Sequence, residues 1–389
     1  MSKLNAVTIL KGSVLGMHRV FFVGILLLLL ALPAPALATS CGITPPALSI
    51  SQCQQINIQN TQSSAIAADT QIPIQYPANS YTSYEAANMM NYLIYNSVSG
   101  TTAQCWLEGN TLNEQQASNL YTSANLLYWC KIPDSIGAGA TDSNWYFGIS
   151  ATSTDFYANP GADIGAAPQL YCASGCPATS YAGVDNGNAI FNFYDNFSGT
   201  SLNANKWVTG ANGGTATVNN GLSLIVPETV GDYIYVASSS TIASQSIIVE
   251  ANMNGNNIQV GGYRMGFGLV PSQTYLLPSG TSQDHVSWQG TELATTEIVG
   301  SVQKGTSYVN PIGVTPVDNN YHIWGLGWLS GVAAEFWYNG YPTPTTTTSD
   351  VPADTTYLTL SYYAYSSLAG TPTALEFQYI RTRTSPHMW

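Results

Sequence analysis

Charge is what this sequence has least of. Asp, Glu, Lys and Arg together make up 8% of the 389 residues, against about 25% in an average globular protein. Lys and Arg occur only nine times, against 21 Asp and Glu, and histidine four times. Phosphate backbones are bound through basic surfaces, so nucleic acid is not expected as a partner. The shortage of charge is not a mark of disorder, because 45% of the residues are hydrophobic and 11% aromatic, and disordered chains are poor in both. Surface polarity must come from hydroxyls and amides. The length suits about two domains, each with enough apolar material for its own core.

Long apolar runs are also scarce. One stands out, Val20 to Leu32, preceded by Lys3, Lys11 and Arg19 and followed by Ala36-Leu37-Ala38. A basic stretch, a short apolar run and small residues at this spacing read as a signal peptide over residues 1–38, cleaved after Ala38. Two other readings stay open, an uncleaved membrane anchor and lipidation of Cys41; the membrane is otherwise not a partner. Cleavage removes three of the nine basic residues and takes the net charge from −12 to −15. In acid the carboxylates neutralise and few cations remain to repel one another, so an acidic habitat is an expectation that unfolding at about pH 2–3 would overturn.

All six cysteines follow Ala38, which suits an oxidising compartment and three disulfides. Six cysteines allow about fifteen pairings; spacing favours Cys41 with Cys53, Cys105 with Cys130, and Cys172 with Cys176. The middle pair has further support. Cys105-Trp106 and Trp129-Cys130 are mirror images, as expected of neighbouring antiparallel strands that set their cysteines side by side. A zinc site at Cys172 and Cys176 is the competing reading.

The fold class expected is all-β. Short alternating segments recur at Ile56–Ile58, Ile72–Ile74, Tyr92–Tyr95, Trp106–Glu108, Leu126–Ile132 and Trp145–Ile149, with one weak helical pattern at Asn113–Ser123. Ala, Gly, Pro and Asp crowd a connector from about residue 150. Alternation is clearer later, over Ser246–Met253, Tyr263–Val270, His285–Trp288, Leu293–Val299, His322–Trp328, Ala334–Tyr338, Tyr357–Tyr363 and Glu376–Arg381. Many short strands with few helices predict two β-sandwich domains, over 39–188 and 189–389. The Thr345–Thr348 run, flanked by prolines, reads as an exposed loop.

Several blocks carry a resemblance. Phe193 to Trp207, Asn219-Asn220-Gly221-Leu222-Ser223-Leu224, Tyr321 to Trp328, Phe336 to Gly340 and Leu375 to Arg381 follow the order of concanavalin A-like lectin/glucanase jelly rolls. Upstream, Ile56 to Asn60, Trp106-Leu107-Glu108, Tyr128 to Pro133 and Asp185-Asn186-Gly187 resemble the domain of unknown function DUF2341, which precedes such jelly rolls in exported archaeal and bacterial proteins. The resemblance implies a carbohydrate-related role and invites a search for two carboxylates flanking a glycosidic bond. Glu292-Leu293-Ala294-Thr295-Thr296-Glu297 has the outer acids of a laminarinase motif, but Ala294 stands where that motif has Asp. Catalysis is therefore not the favoured expectation, and no catalytic residue is assigned.

Binding has more support. Sugars are held by aromatic faces beside amide, hydroxyl and carboxylate groups. If Ala334, Phe336 and Tyr338 face inward, Glu335 and Trp337 share the other face as ligand-binding candidates; Tyr263, Arg264 and Trp288 are candidates by chemical type, with core packing as the alternative for each. No cofactor is expected except a structural calcium, with Asp195 as ligand, although Gln378 replaces the Asp often found in the last strand of such domains. The expected role is a secreted or cell-surface, non-catalytic protein that binds polysaccharide or surface glycan, or adheres. A structural envelope component partnered by other envelope proteins, and an unusual glycan-active hydrolase, are the alternatives.

Overall fold

The computed structural model describes residues 4–5, 41, 49–86, 89–110, 126–154, 156, 164–167, 185–242, 246–254, 263–277, 282–290, 297–314, 321–338, 344–364 and 374–384. The candidate helix Asn113–Ser123, Cys172, Cys176 and Glu292 lie outside these residues, as do all but two residues of the leader. The described residues through Asn186 belong to one compact unit and those from Gly187 onward to another.

The first unit is built of strands β1 (Leu4–Asn5), β2 (Ile50–Gln59), β3 (Thr70–Tyr76), β4 (Tyr92–Asn96), β5 (Gln104–Asn110), β6 (Leu126–Ile132), β7 (Thr141–Ser150) and β8 (Ile164–Ala166). They form two four-stranded sheets, ordered β1-β2-β7-β4 and β3-β6-β5-β8. Near-continuous apolar runs such as Leu-Leu-Tyr-Trp-Cys in β6 suit strands buried on both sides. The sheets meet through aromatic side chains: Tyr76 stacks on Phe147 at 3.7 Å, Tyr92 meets Tyr76 edge-on at 5.3 Å, and Tyr128 meets Phe147 at 5.7 Å. In β5 and β6, Cys105 pairs directly with Cys130 and Trp106 with Trp129. The disulfide expected from that mirror image is present, as is Cys41–Cys53.

The second unit opens with helix α1 (Gly187–Ile190) and continues with β9 (Phe193–Asp195), β10 (Trp207–Asn212), β11 (Thr215–Val218), β12 (Leu222–Ile225), β13 (Tyr233–Ser238), β14 (Ser246–Asn254), β15 (Tyr263–Val270) and β16 (His285–Gly290). Then come β17 (Ile298–Lys304), β18 (Ser307–Val314), β19 (Tyr321–Leu329), β20 (Ala333–Tyr338), β21 (Thr345–Thr347), β22 (Tyr357–Ala364) and β23 (Leu375–Arg383). One sheet runs β10-β13-β22-β15-β16-β17-β18; the other runs β11-β12-β23-β14-β19-β20-β21, with β9 also on β23. Alternate residues of both turn inward to a single core, where Trp288 of the first sheet meets Trp324 and Phe336 of the second edge-on at 5.1 and 5.4 Å. This is the expected all-β jelly-roll sandwich. The threonine run expected as a loop is instead edge strand β21, paired with β20.

Candidate functional site

Strict alternation in the central strands of the seven-stranded sheet sends one set of side chains to the core and the other to the opposite face. In β22, Leu358, Leu360 and Tyr362 join the core, which leaves Thr359, Ser361 and Tyr363 outside it. Register then assembles the outer face. Tyr233 lies opposite Tyr363 and Tyr235 opposite Ser361; Arg264 lies opposite Tyr363, Gly266 opposite Ser361 and Gly268 opposite Thr359. Gln289 and Ser287 of β16 flank the same two glycines, and Ser301 and Gln303 of β17 lie opposite Ser287 and His285. A Cβ on Gly266 would stand 1.9 Å from the Trp288 carbonyl oxygen, and one on Gly268 would stand 2.4 Å from Ser287 Cβ. Only glycine lets the strands approach this closely, so the floor between Ser361 and Gln289 carries no side chain.

This face is polar, largely neutral and buried. Arg264 Nε donates to Gln289 Oε1 at 3.0 Å. His285 sits between the Gln283 carbonyl (3.3 Å) and Ser301 Oγ (3.2 Å); burial, aided by the nearby Arg264, pushes its pKa down to about 3, so the imidazole stays neutral in all but strong acid. Ser287 Oγ and Gln289 Nε2 are buried without a hydrogen-bond partner. Over the floor lies the segment Pro271–Leu277. Thr359 Oγ1 donates to the Thr274 carbonyl (2.6 Å) and the Leu276 N–H to Ser361 Oγ (3.1 Å). Gln283 holds the segment twice, accepting from the Leu277 N–H (2.7 Å) and donating to the Tyr275 carbonyl (2.9 Å).

Beside this covered floor the face becomes a terrace of four partly exposed tyrosines. Tyr275 caps the opposed pair Tyr233 and Tyr363, with ring centroids 4.4 and 4.9 Å away. Tyr233 in turn lies nearly parallel to Tyr235 at 6.2 Å. The Tyr235 ring rests against Gly210, where a Cβ would come within 2.4 Å of it, and the exposed Asn212 stands opposite Tyr233 at the edge.

Of the residues singled out from sequence, Arg264 alone belongs to this face. Tyr263 and Trp288 turn into the core, and the Trp288 indole donates to the Gly325 carbonyl at 2.7 Å. Glu335 and Trp337 do share the face opposite Ala334 and Phe336, but they are only 3% and 2% exposed, so neither offers an open surface to a ligand. Trp337 lies against Gly325, whose absent side chain leaves it room. Burial raises the Glu335 pKa to about 7, partly offset by a hydrogen bond from Thr346. Glu297 is exposed just before β17.

Asp195 lines a cavity of about 200 Å³ with Asn188, Ser198, Asn203 and Lys206. Its carboxylate already accepts from Trp207 Nε1 (2.6 Å) and the Phe197 N–H (2.8 Å). The Lys206 ammonium lies in the same place, bonded to Asn188 Oδ1 (2.8 Å) and the Tyr194 carbonyl (2.5 Å). A lone carboxylate committed to N–H donors, with a fixed cation in its cavity, does not fit a calcium site. Among the described residues no three His, Cys, Asp or Glu side chains gather as a metal-binding group.

The second unit is a jelly-roll sandwich. Neither a family model nor a curated protein matches the chain. Among solved structures it is similar to an endo-beta-1,3-glucanase from Pyrococcus furiosus, with 13% identity and a TM-score of 0.38 over 50% of this chain and 94% of that one. It is similar also to a beta-glucanase from Bacillus licheniformis, with 14% identity and a TM-score of 0.38 over 50% and 98%, and to a glycosyl hydrolase family protein from Mycobacterium fortuitum, with 16% identity and a TM-score of 0.36 over 49% and 99%. At these identities and scores no residue role is carried across.

Proposed function

We propose that the protein is an exported, non-catalytic glycan-binding or adhesive protein whose ligand meets the seven-stranded sheet at the tyrosine terrace. The carrying observation is the grouping of Tyr233, Tyr235, Tyr275 and Tyr363, four partly exposed rings on one face beside amide and hydroxyl groups. Aromatic rings offer apolar faces to the C–H surfaces of sugars, and neighbouring amides serve the hydroxyls. Among the described residues, the neutral imidazole of His285 on this face suits hydrogen bonding better than proton transfer at ordinary pH. Two disulfides agree with export to an oxidising compartment.

The test is titration calorimetry against soluble neutral and acidic oligosaccharides, with Tyr235→Ala and Tyr363→Ala beside the wild type. Each variant is expected to lose about tenfold in affinity, or about 1.4 kcal/mol. Wild-type binding that both variants retain would refute the terrace. Failure to bind any glycan, with co-fractionation in the cell envelope, would favour the structural alternative.

A further inference from the structure

We infer that Pro271–Leu277 is a displaceable strap that occupies the position of a sugar unit, and that beneath it lies a second, deeper subsite for a neutral, hydroxyl-rich sugar residue. This rests on the glycan-binding reading of the terrace and extends it inward. Three independent observations support it.

The first is the placing of Tyr275. Its ring covers Tyr233 and Tyr363 at 4.4 and 4.9 Å, which is stacking distance for any flat or chair-shaped ring on an aromatic floor. The second is how the strap is held. No residue from 271 to 277 belongs to a strand. The contacts that hold it pair a side chain with backbone, through Thr359, Ser361, Gln283 and Gln273, whose Nε2 donates to the Ser238 carbonyl at 2.9 Å. Such a segment opens at lower free energy than the ladders around it, because few bonds must break together.

The third observation lies underneath. Ser287 Oγ and Gln289 Nε2 are fully buried and unpartnered, and such orphans are costly. They flank the bare floor of Gly266 and Gly268. A hydroxyl-rich ligand would supply what each lacks: an acceptor for the amide N–H and a partner for the serine hydroxyl. Arg264 and the neutral His285 border the same floor. Leu276, which now covers this region, is fully buried yet outside the sandwich core.

The experiment pairs calorimetry with amide hydrogen exchange on the intact protein, using a neutral oligosaccharide and its uronic-acid counterpart as probes. Thr359→Val removes the bond to Thr274 with little change of shape, and Gln283→Ala releases the strap at two points; either alone suffices if the other fails to fold. Both are expected to bind the neutral probe about tenfold more tightly than wild type. Saturation should speed exchange over 271–277, and adding Ser287→Ala or Gln289→Leu should abolish the gain. Wild-type affinity that depends on Tyr235 but is unmoved by strap variants, with unchanged exchange, overturns the strap and leaves the terrace standing. Binding seen only in the loosened variants supports the strap and means that the terrace takes its ligand once Tyr275 is displaced. Preference for the uronate overturns the neutral-sugar assignment, and no binding by any variant overturns both readings.

Discussion

Replacing Glu85 with glutamine should flatten part of the protein's stability against pH. Glu85 is 7% exposed, between the sheets of the first unit, and accepts a hydrogen bond from the Tyr76 hydroxyl at 3.1 Å. Tyr76, Tyr81 and Tyr92 are the titratable groups coupled to it, and none carries positive charge. Burial raises its pKa from 4.5 to about 7, against smaller lowering contributions from the Tyr92 and Tyr76 hydroxyls. Because the folded value lies above the unfolded one, the unfolded chain gives up its proton first as pH rises. Stability therefore falls between about pH 4.5 and 7, and the full penalty remains above pH 7. The rise corresponds to about 3 kcal/mol, and relaxation of the surrounding groups brings the expected effect to about 2 kcal/mol. Glu85→Gln removes the titration, so it should match wild type near pH 4 and exceed it by about 2 kcal/mol at pH 8. Urea unfolding followed by tryptophan fluorescence at intervals from pH 4 to 9, disulfides intact, measures the difference. Parallel profiles for the two proteins would refute the reasoning.

Glu250 has the opposite sign. It is buried on the eight-stranded sheet with Arg381 Nε at 2.7 Å and Arg383 Nη2 at 3.2 Å; burial alone would raise its pKa, and the two guanidiniums override that and lower it. Its stabilisation is present above the ordinary carboxylate pKa and is lost as pH falls through the depressed one. Glu250→Gln should cost about 3–5 kcal/mol at pH 7, because it removes the carboxylate charge that two buried guanidiniums share, and denaturant titration checks this. Replacing both Cys105 and Cys130 with alanine should cost about 3 kcal/mol, as expected for a loop of 25 residues, and lower the thermal midpoint of the first unit. A chelator such as EDTA should leave the thermal midpoint of the second unit unchanged, since Lys206 lies in the cavity beside Asp195; a drop reversed by added calcium would overturn that assignment.

Alternation and residue chemistry, which act over a few neighbouring positions, made much of this architecture legible in the sequence. Strand Tyr263–Val270 was delimited to the residue, the Cys105–Cys130 pair followed from mirrored dipeptides, and the opposition of Trp337 to Phe336 followed from a period of two. Strand Ser307–Val314 escaped notice because Pro311 and a mixed, half-exposed pattern hide an edge. The edge strand Thr345–Thr347 was hidden by flanking prolines, since an edge needs a partner on one side only.

Which faces stay open was decided by tertiary structure alone. A period of two places Glu335 and Trp337 on a common face but does not say that this face is covered. Nor does it say that Tyr275, on a connecting segment, caps rings from two other strands. Glu250, Arg381 and Arg383 meet because β14 lies beside β23 across more than a hundred residues of sequence. The sequence by itself determined most of the central strands and the two sides of each, because alternation is local. Register and the folding-back of Pro271–Leu277 determined the terrace and the covered floor beside it, because contacts between distant segments exist only once the sheets have formed.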